Sequence, residues 1–147
     1  SRYYAAMKKP LRVLPVVLFL LATPALGAWE ELRRNDAVRL SIDPKSIRAR
    51  GDEVSFRYLV DYREMQGDVK TAMYRSLATR AAIRCKARTI AIRSSEGYAA
   101  NEAQGPLVGT LKPMKGEAGF KKVEAGTSDE DLWQRVCVKK KPAPAKK

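Results

Sequence analysis

Residues 70–93, KTAMYRSLATRAAIRCKARTIAIR, are the stretch that decides the fold. Taken in steps of two, residues 73–86 divide into an apolar and a polar set, the period of a half-buried strand. No Gly, Pro or Asn marks a turn between Lys70 and Ser94. The stretch is therefore one bent strand, two strands with a bulge, or a helix over 77–86, and the flanking runs favour strand. The apolar set is Met73, Leu77, Ala81, Ile83 and Cys85, and the polar set is Tyr74, Ser76, Arg80, Arg84 and Lys86.

The segments before this stretch also alternate. Residues 54–63 give the clearest strand, with Val, Phe, Tyr, Val and Tyr on one face, so Tyr58 and Tyr62 are predicted to belong to the core. Residues 38–43 form an earlier strand that we expect Pro44 to stop, since proline donates no ladder hydrogen bond. A short run, 46–50, then ends at Gly51-Asp52, a pair suited to a tight hairpin. Trp29, the large apolar residue of the charged segment 29–34, is expected to pack on the sheet.

The C-terminal third combines loops with one helix. Residues 94–97 are interpreted as a turn, Gly105-Pro106 as a break before a strand at 107–111, and 112–126 as a loop. Residues 127–137 have a helical period, with Thr127 and Glu130 spaced as a capping box and three acids in the first turn. The apolar face of this helix carries Leu132, Trp133, Val136 and Cys137.

The ends of the chain differ in composition from the middle. Residues 1–27 are interpreted as a leader that starts at Met7: a basic segment, an apolar run over 13–21, and small residues that place cleavage after Gly27 or Ala28. An uncleaved anchor is the alternative, but the run is shorter than the roughly 20 residues that span a bilayer. No cysteine lies at or near the predicted cleavage point, so a lipid anchor is not indicated. Residues 28–138 form one domain, and 139–147 are interpreted as a disordered Lys/Pro/Ala tail.

The formal net charge of +13 belongs mostly to these ends. The leader and the tail hold nine Lys and Arg without acids, whereas 29–138 carry 20 Lys and Arg against 16 Asp and Glu. This domain has an excess of only four positive charges, and its basic residues alternate with acids. It therefore does not indicate a nucleic-acid partner. The tail itself is suited to weak, salt-sensitive contact with an anionic envelope surface.

Cysteine and histidine content restrict the chemistry. The sequence has no histidine, which excludes Ser-His-Asp and Cys-His nucleophiles and most zinc sites, and it predicts neither a metal nor a cofactor. Cys85 and Cys137 are predicted to form a disulfide in an oxidising compartment, with free buried thiols as the alternative. Paired carboxylates of the glycosidase type are the remaining catalytic arrangement, but the acids are scattered among basic residues, which favours solvated surfaces. These acids are Glu30, Glu31, Asp61, Glu64, Asp68, Glu96 and Glu102.

Two sets of basic residues are candidate binding residues for an acidic partner. One set lies on or beside the predicted strands, although charge on an exposed strand face more commonly blocks edge pairing. The other is the lysine run that opens the tail. The candidates are Arg57, Arg63, Arg75, Arg80, Arg84, Lys139, Lys140 and Lys141.

Several segments together resemble the surface-adhesin protein E family of Gram-negative bacteria. Besides the leader, they are Trp29, Ser41-Ile42-Asp43-Pro44-Lys45-Ser46-Ile47, Tyr74-Arg75-Ser76 leading to Cys85, an arginine-rich strand, Tyr98 with Gly105, and 128–137. The resemblance implies a small antiparallel sheet with a C-terminal helix tethered by a Cys85–Cys137 cystine, and a sheet surface for a homodimer. Characterised members bind host matrix proteins and haem. Neither activity is transferred, because this chain has no histidine for haem and the family's ligand-binding segments do not match it residue by residue.

The sequence thus predicts an α+β domain: an antiparallel sheet of about five to six strands, with a C-terminal helix packed and disulfide-tethered on it, preceded by a signal-peptide helix. The predicted function is a secreted, non-catalytic binding or structural module of the bacterial envelope, in the periplasm or at the cell surface. Its expected partners are host matrix or envelope macromolecules. The alternative is a periplasmic enzyme or enzyme inhibitor that acts through exposed loops such as 112–126.

Overall fold

The protein is an antiparallel sheet with one helix packed against it. The computed structural model describes residues 29–68, 72–112 and 119–138. Within these ranges the strands are β1 (Glu30–Arg34), β2 (Val38–Arg50), β3 (Glu53–Gln66), β4 (Tyr74–Arg84), β5 (Thr89–Tyr98), β6 (Leu107–Leu111) and β7 (Lys121–Lys122), and the helix is α1 (Ser128–Cys137). β1 to β6 follow chain order across the sheet, and the two-residue β7 also pairs with β5. The predicted fold class is confirmed for these ranges, with one short strand more than expected.

The prediction that Pro44 ends a strand is wrong. β2 runs through Pro44 as one strand of 13 residues, because the proline lies in an irregularity of the β2–β3 register between Asp43 and Arg48. Proline is tolerated at a bulge, where no ladder hydrogen bond is required of it. Ser46 fills part of the gap: its Oγ donates to the Asp43 carbonyl at 2.7 Å and accepts from the Arg57 N–H at 2.7 Å. The Gly51-Asp52 hairpin is confirmed, with Gly51 at φ 60°.

The described part of the 70–93 stretch, residues 72–93, contributes two strands and not a helix. β4 ends at Arg84, and Cys85 to Arg88 form the turn to β5, with Arg88 in the left-handed region at φ 51°. The turn lacks Gly, Pro and Asn, which is why the sequence did not locate it. The turn predicted over 94–97 is wrong, because these residues belong to β5. A bulge shifts the register where Arg80 pairs with Ser94 and Ala81 with Ile92, so Arg93 is the extra residue.

The sheet buries one face against α1. Leu132 of the helix is 1% exposed and packs with side chains from β2 to β5 and with Val123, the residue after β7. Alternation places these strand residues on one face, as the sequence predicted for Tyr58. Tyr62, the other tyrosine predicted for the core, is half-buried and is not part of this cluster. The strand side chains of this core are Leu40, Ile42, Phe56, Tyr58, Ala81, Ile83 and Ile90.

The helix begins as predicted but is capped differently. Thr127 has an extended backbone, yet its hydroxyl donates to the Glu124 carbonyl at 2.7 Å and makes no side-chain bond to the helix. Glu130 reaches back one residue further than a capping box requires and accepts from the Gly126 N–H at 2.7 Å. Gly126 adopts φ 76°, the left-handed conformation that turns the chain into the helix. The predicted capping box is therefore replaced by a turn that Glu130 closes.

The disulfide between Cys85 and Cys137 is present, with a Cα–Cα distance of 5.6 Å. It joins the β4–β5 turn to the last residue of α1. Two polar contacts reinforce it: Trp133 Nε1 donates to the Cys85 carbonyl at 3.1 Å, and Arg135 makes two bonds of 2.9 Å to the Glu30 carboxylate on β1. The helix is thus fixed at both edges of the surface that it covers.

Several predictions concern residues that the structure does not describe. The leader (1–27), the tail (139–147) and residues 113–118 of the predicted loop lie outside the described ranges. The rest of that loop is not wholly irregular, because it contains β7. In the described part of the chain, no helix has the length and apolar character needed to cross a membrane.

Candidate binding surface

The face of the sheet opposite the helix carries a group of arginines, which we call the arginine face. The registers place Arg57 of β3 opposite Arg80 of β4, and Arg84 opposite Glu53. Arg48 and Arg50 of β2 pair with Ser55 and Glu53, so they share this face. Alternation along β5 places Arg93 on the same side as Thr89 and Ala91, which pair with Arg84 and Ala82. The arginine face consists of Arg48, Arg50, Arg57, Arg80, Arg84 and Arg93, of which Arg57 is half-buried and the others are exposed.

Aromatic rings hold three of these guanidinium groups. Arg57 lies over the Trp29 ring with its Cζ 5.2 Å from the centroid, so the expectation that Trp29 packs on the sheet is confirmed. Arg84 and Arg93 both contact Phe120, at 3.8 Å and 5.2 Å. A guanidinium stacked on a ring keeps its N–H groups directed outward in its plane. These cations are therefore positioned without losing their donors.

The arginine face is positively charged on balance. Three carboxylates belong to the same part of the sheet: Asp43, Glu53 and Glu96. Glu53 is shared by two arginines, at 3.6 Å from Arg84 and 3.7 Å from Arg93, and Glu96 accepts from the Tyr98 hydroxyl at 2.8 Å. Lys122, which pairs with Thr89 beside Arg84, adds a seventh cation, so the positive charges outnumber these carboxylates. This surface is therefore suited to an anionic partner.

A cleft of about 620 Å³ lies at the other end of the same face. Asp61, 5% exposed, forms its floor and accepts hydrogen bonds from the Arg39 guanidinium and, at 2.7 Å, from the Glu102 N–H. Asn101 Nδ2 adds a contact of 3.4 Å. Hydrogen bonds to Asp61 and then Glu102 raise the pKa of Arg39 above its usual value. Donors from the 3₁₀ turn Asn101–Ala103 and from β2 thus occupy the Asp61 oxygens. This arrangement gives the carboxylate a structural role.

The predicted basic candidates do not all meet. Arg57, Arg80 and Arg84 come together on the arginine face. Arg63 is exposed but lines the cleft beside Asp61, within the stretch between Asp61 and Gln66 where the β3–β4 register is irregular. Arg75 is half-buried on the opposite side of β4 from Ser76, and its Nε is buried without a hydrogen-bond partner among the described residues. Lys139, Lys140 and Lys141 lie outside the described ranges.

Sequence reasoning missed three arginines and one ring of this surface. Arg48 and Arg50 lie in the short run that was separated from β2 at Pro44, so their strand phase was lost. Arg93 follows Ala91 in the alternation of β5, and Ala91 pairs with Ala82 on the arginine face, but the sequence did not locate the turn that starts this strand. Phe120 lies in a segment interpreted as a loop, and only its position as an isolated aromatic residue among lysines could have indicated a contact with the sheet.

Within the described ranges, no group of three or more Asp, Glu, Cys or His side chains is arranged to hold a metal ion. Several of the scattered acids are instead in ion pairs. Glu31 pairs with Arg34 at 2.5 Å, and Glu102 pairs with Arg39 at 2.9 Å. The geometry offers guanidinium donors on an open sheet, an arrangement for binding anionic groups.

Comparison with known proteins identifies the family. The sequence profile described as "Surface-adhesin protein E" matches residues 29–138, which is most of the chain. The chain belongs to the surface-adhesin protein E family. Membership indicates an exported or cell-surface, adhesin-like protein and confirms the resemblance found in the sequence. No curated protein matches the chain significantly.

Solved structures of Haemophilus influenzae protein E share the fold. Crystal form II has a TM-score of 0.58 at 18% identity, covering 74% of this chain and 86% of that one. A second structure of that protein has a TM-score of 0.55 at 18% identity, covering 74% and 83%. The protein from a non-typeable strain has a TM-score of 0.55 at 18% identity and covers 74% of both chains. At 18% identity, these structures show that the chain shares the backbone fold of protein E, and they show nothing beyond the fold.

Proposed function

We propose that this family member is an exported, non-catalytic binding module of the Gram-negative bacterial envelope. Residues 1–27 are its cleaved leader, 28–138 its binding domain and 139–147 a basic tail. The module works in the periplasm or at the cell surface, where it contacts host matrix or envelope macromolecules. The open arginine face is the observation that carries this proposal, because it provides a preorganised surface for an anionic partner.

The non-catalytic part of the proposal is supported by the state of the buried carboxylate. Asp61 is the one carboxylate among the described residues that is buried, and donors from Arg39 and Glu102 occupy its oxygens. A general acid or base needs a proton-accepting atom directed at substrate. The cleft above Asp61 is lined by a mixture of charged, amide and apolar side chains, and Arg39 pairs there with Asp61 and Glu102.

A homodimer is part of the proposal. β6 is the last strand of the β1–β6 order, and no described strand pairs with its outer edge. Leu107 and Leu111 are 54% and 66% exposed there. An unprotected strand edge with exposed leucines favours pairing with a second copy. Sedimentation velocity of the mature protein would show a dimer that Leu111→Lys dissociates, whereas a monomer in both samples would contradict it.

The function is tested by retention of partners. Purified mature protein is immobilised and exposed to host matrix and to envelope extract at low and moderate salt. We expect the wild type to retain a defined partner at moderate salt and the Arg57→Gln variant not to retain it. A truncated form without 139–147 serves as the control and is expected to retain the same partner. Turnover of an envelope polymer, or inhibition of an envelope enzyme, would support the alternative function instead.

A further inference from the structure

We propose that the ligand of the arginine face is a sulfated polysaccharide chain. This inference deepens the function proposed above and rests on it. It assigns the anionic partner to a class of polymer with repeated anionic groups on sugar rings, and it assigns the contact to Arg48, Arg50, Arg57, Arg80, Arg84 and Arg93.

The dimensions of the surface favour a polymer. Arg80 and Arg84 are four residues apart on β4, which separates their Cα atoms by roughly 13 Å. The arginines extend over four strands, β2 to β5, or about 14 Å across the sheet. A single phosphate or carboxylate would engage only one or two guanidinium groups of this area. A chain that carries an anionic group on successive units engages several at once.

The guanidinium groups are arranged for sulfate. Arginine presents parallel N–H donors that bind tetrahedral oxyanions in pairs. Phe120 fixes Arg84 and Arg93, and Trp29 fixes Arg57, so little side-chain entropy is lost on binding. Arg80 is exposed, and within the described residues its side chain makes no ion pair or hydrogen bond.

The surface is less suited to a protein partner or a lipid. Protein interfaces are centred on apolar or aromatic side chains with charges at the rim. Here the charges occupy the centre, and the rings lie beneath them. The large exposed apolar side chains of the described residues lie on the opposite face or at the ends and edge of the sheet: Met65, Met73, Ile92, Leu107, Leu111 and Val138. Sugar rings with sulfate substituents require no apolar centre.

The test measures binding of a heparin octasaccharide by calorimetry, with the mature protein and a double variant, Arg80→Gln/Arg84→Gln. Loss of two charge-assisted contacts is expected to weaken binding at least about tenfold. The slope of log affinity against log salt is expected to fall by about two, as counterion release predicts for polyanions. The matched control is Arg33→Gln/Lys121→Gln, which removes two charges that pair with α1 residues Asp131 and Asp129. Its affinity should stay within about twofold of the wild type.

Three further samples make the outcome decisive. Hyaluronan, a carboxylated chain without sulfate, and single-stranded DNA of equal length are expected to bind more weakly than heparin. Deletion of 139–147 is expected to leave heparin binding in place. Equal binding of hyaluronan or DNA, equal loss in both double variants, or loss on tail deletion would overturn the assignment. Retention of a matrix or envelope partner without heparin binding would overturn it and leave the proposed function intact.

Discussion

Asp61 is the residue on which the far end of the sheet depends. Its carboxylate is 5% exposed and joins β2, β3 and the 3₁₀ turn through Arg39 and the Glu102 N–H. Glu102 and Ala103 both adopt left-handed backbone conformations, at φ 60° and 56°. Non-glycine residues adopt these conformations at a cost, which the hydrogen bonds to Asp61 and Ser76 offset.

Asp61→Asn is therefore expected to lower the free energy of unfolding by about 2–3 kcal/mol. The substitution removes the buried counter-charge of Arg39 and replaces one acceptor oxygen by an amide nitrogen, which does not accept hydrogen bonds. Urea denaturation of the purified mature protein measures the change. Glu102→Gln is the control: this side chain is 51% exposed, and its loss should cost less than about 1 kcal/mol. Equal destabilisation by both variants would contradict a structural role centred on Asp61.

Tyr58 gives the stability of the protein a specific pH dependence. Burial raises the pKa of its hydroxyl from 10 to about 12. The unfolded chain then ionises at a lower pH than the folded one, so the stabilisation is complete below pH 10 and is lost as pH rises toward 12. The expected loss from this residue approaches about 3 kcal/mol. The free energy of unfolding, measured by urea denaturation at each pH, should fall less between pH 10 and pH 12 for Tyr58→Phe than for the wild type. An equal fall in both proteins would contradict the assignment.

At the level of elements, the strands with regular alternation were predictable. β3 was located because its faces differ clearly in residue type. β2 was divided because proline was read as an end, although Ser46 provides the hydrogen bonds that let the strand continue past it. The β4–β5 turn was missed because Arg88, and not a glycine, occupies its left-handed position.

The binding surface was partly predictable for the same reason. Strand phase alone brings Arg57, Arg80 and Arg84 to one face. The irregularity at Pro44 shifts the phase of β2 before Arg48 and Arg50, and a single sequence does not show where a bulge falls. Phe120 reaches the face through β7, a strand of two residues, which is too short to show a period.

The attachment of α1 depends on the disulfide more than on burial. Leu132 is the single residue of the helix that is buried, while Trp133 and Val136 are half-buried. Replacement of Cys85 and Cys137 by alanine is expected to lower stability by about 4 kcal/mol, since the bridge closes a loop of 52 residues in the unfolded chain. Thermal unfolding with and without reductant measures the effect. The alanine variant should be insensitive to reductant, and a wild type equally insensitive would contradict the prediction.

At the scale of the whole molecule, charge and redox state both connect the fold to export. Residues 29–138 keep a moderate positive excess, whereas residues 1–27 and 139–147 carry the rest of the net charge. The cystine forms spontaneously only in an oxidising compartment. A surface-adhesin family member that depends on this bridge should therefore reach its full stability only after leaving the cytosol.

Expression of the full chain in a Gram-negative host tests this connection. We expect the osmotic-shock fraction to contain a protein that begins at Ala28 or Trp29, with both thiols blocked, as mass analysis under non-reducing conditions would show. The control is the chain from Ala28 expressed in the cytosol without its leader. It should have free thiols and be less stable by about 4 kcal/mol until oxidised, because the loop is then open. Full-length protein retained in the membrane fraction, or free thiols in the exported form, would contradict the proposed export.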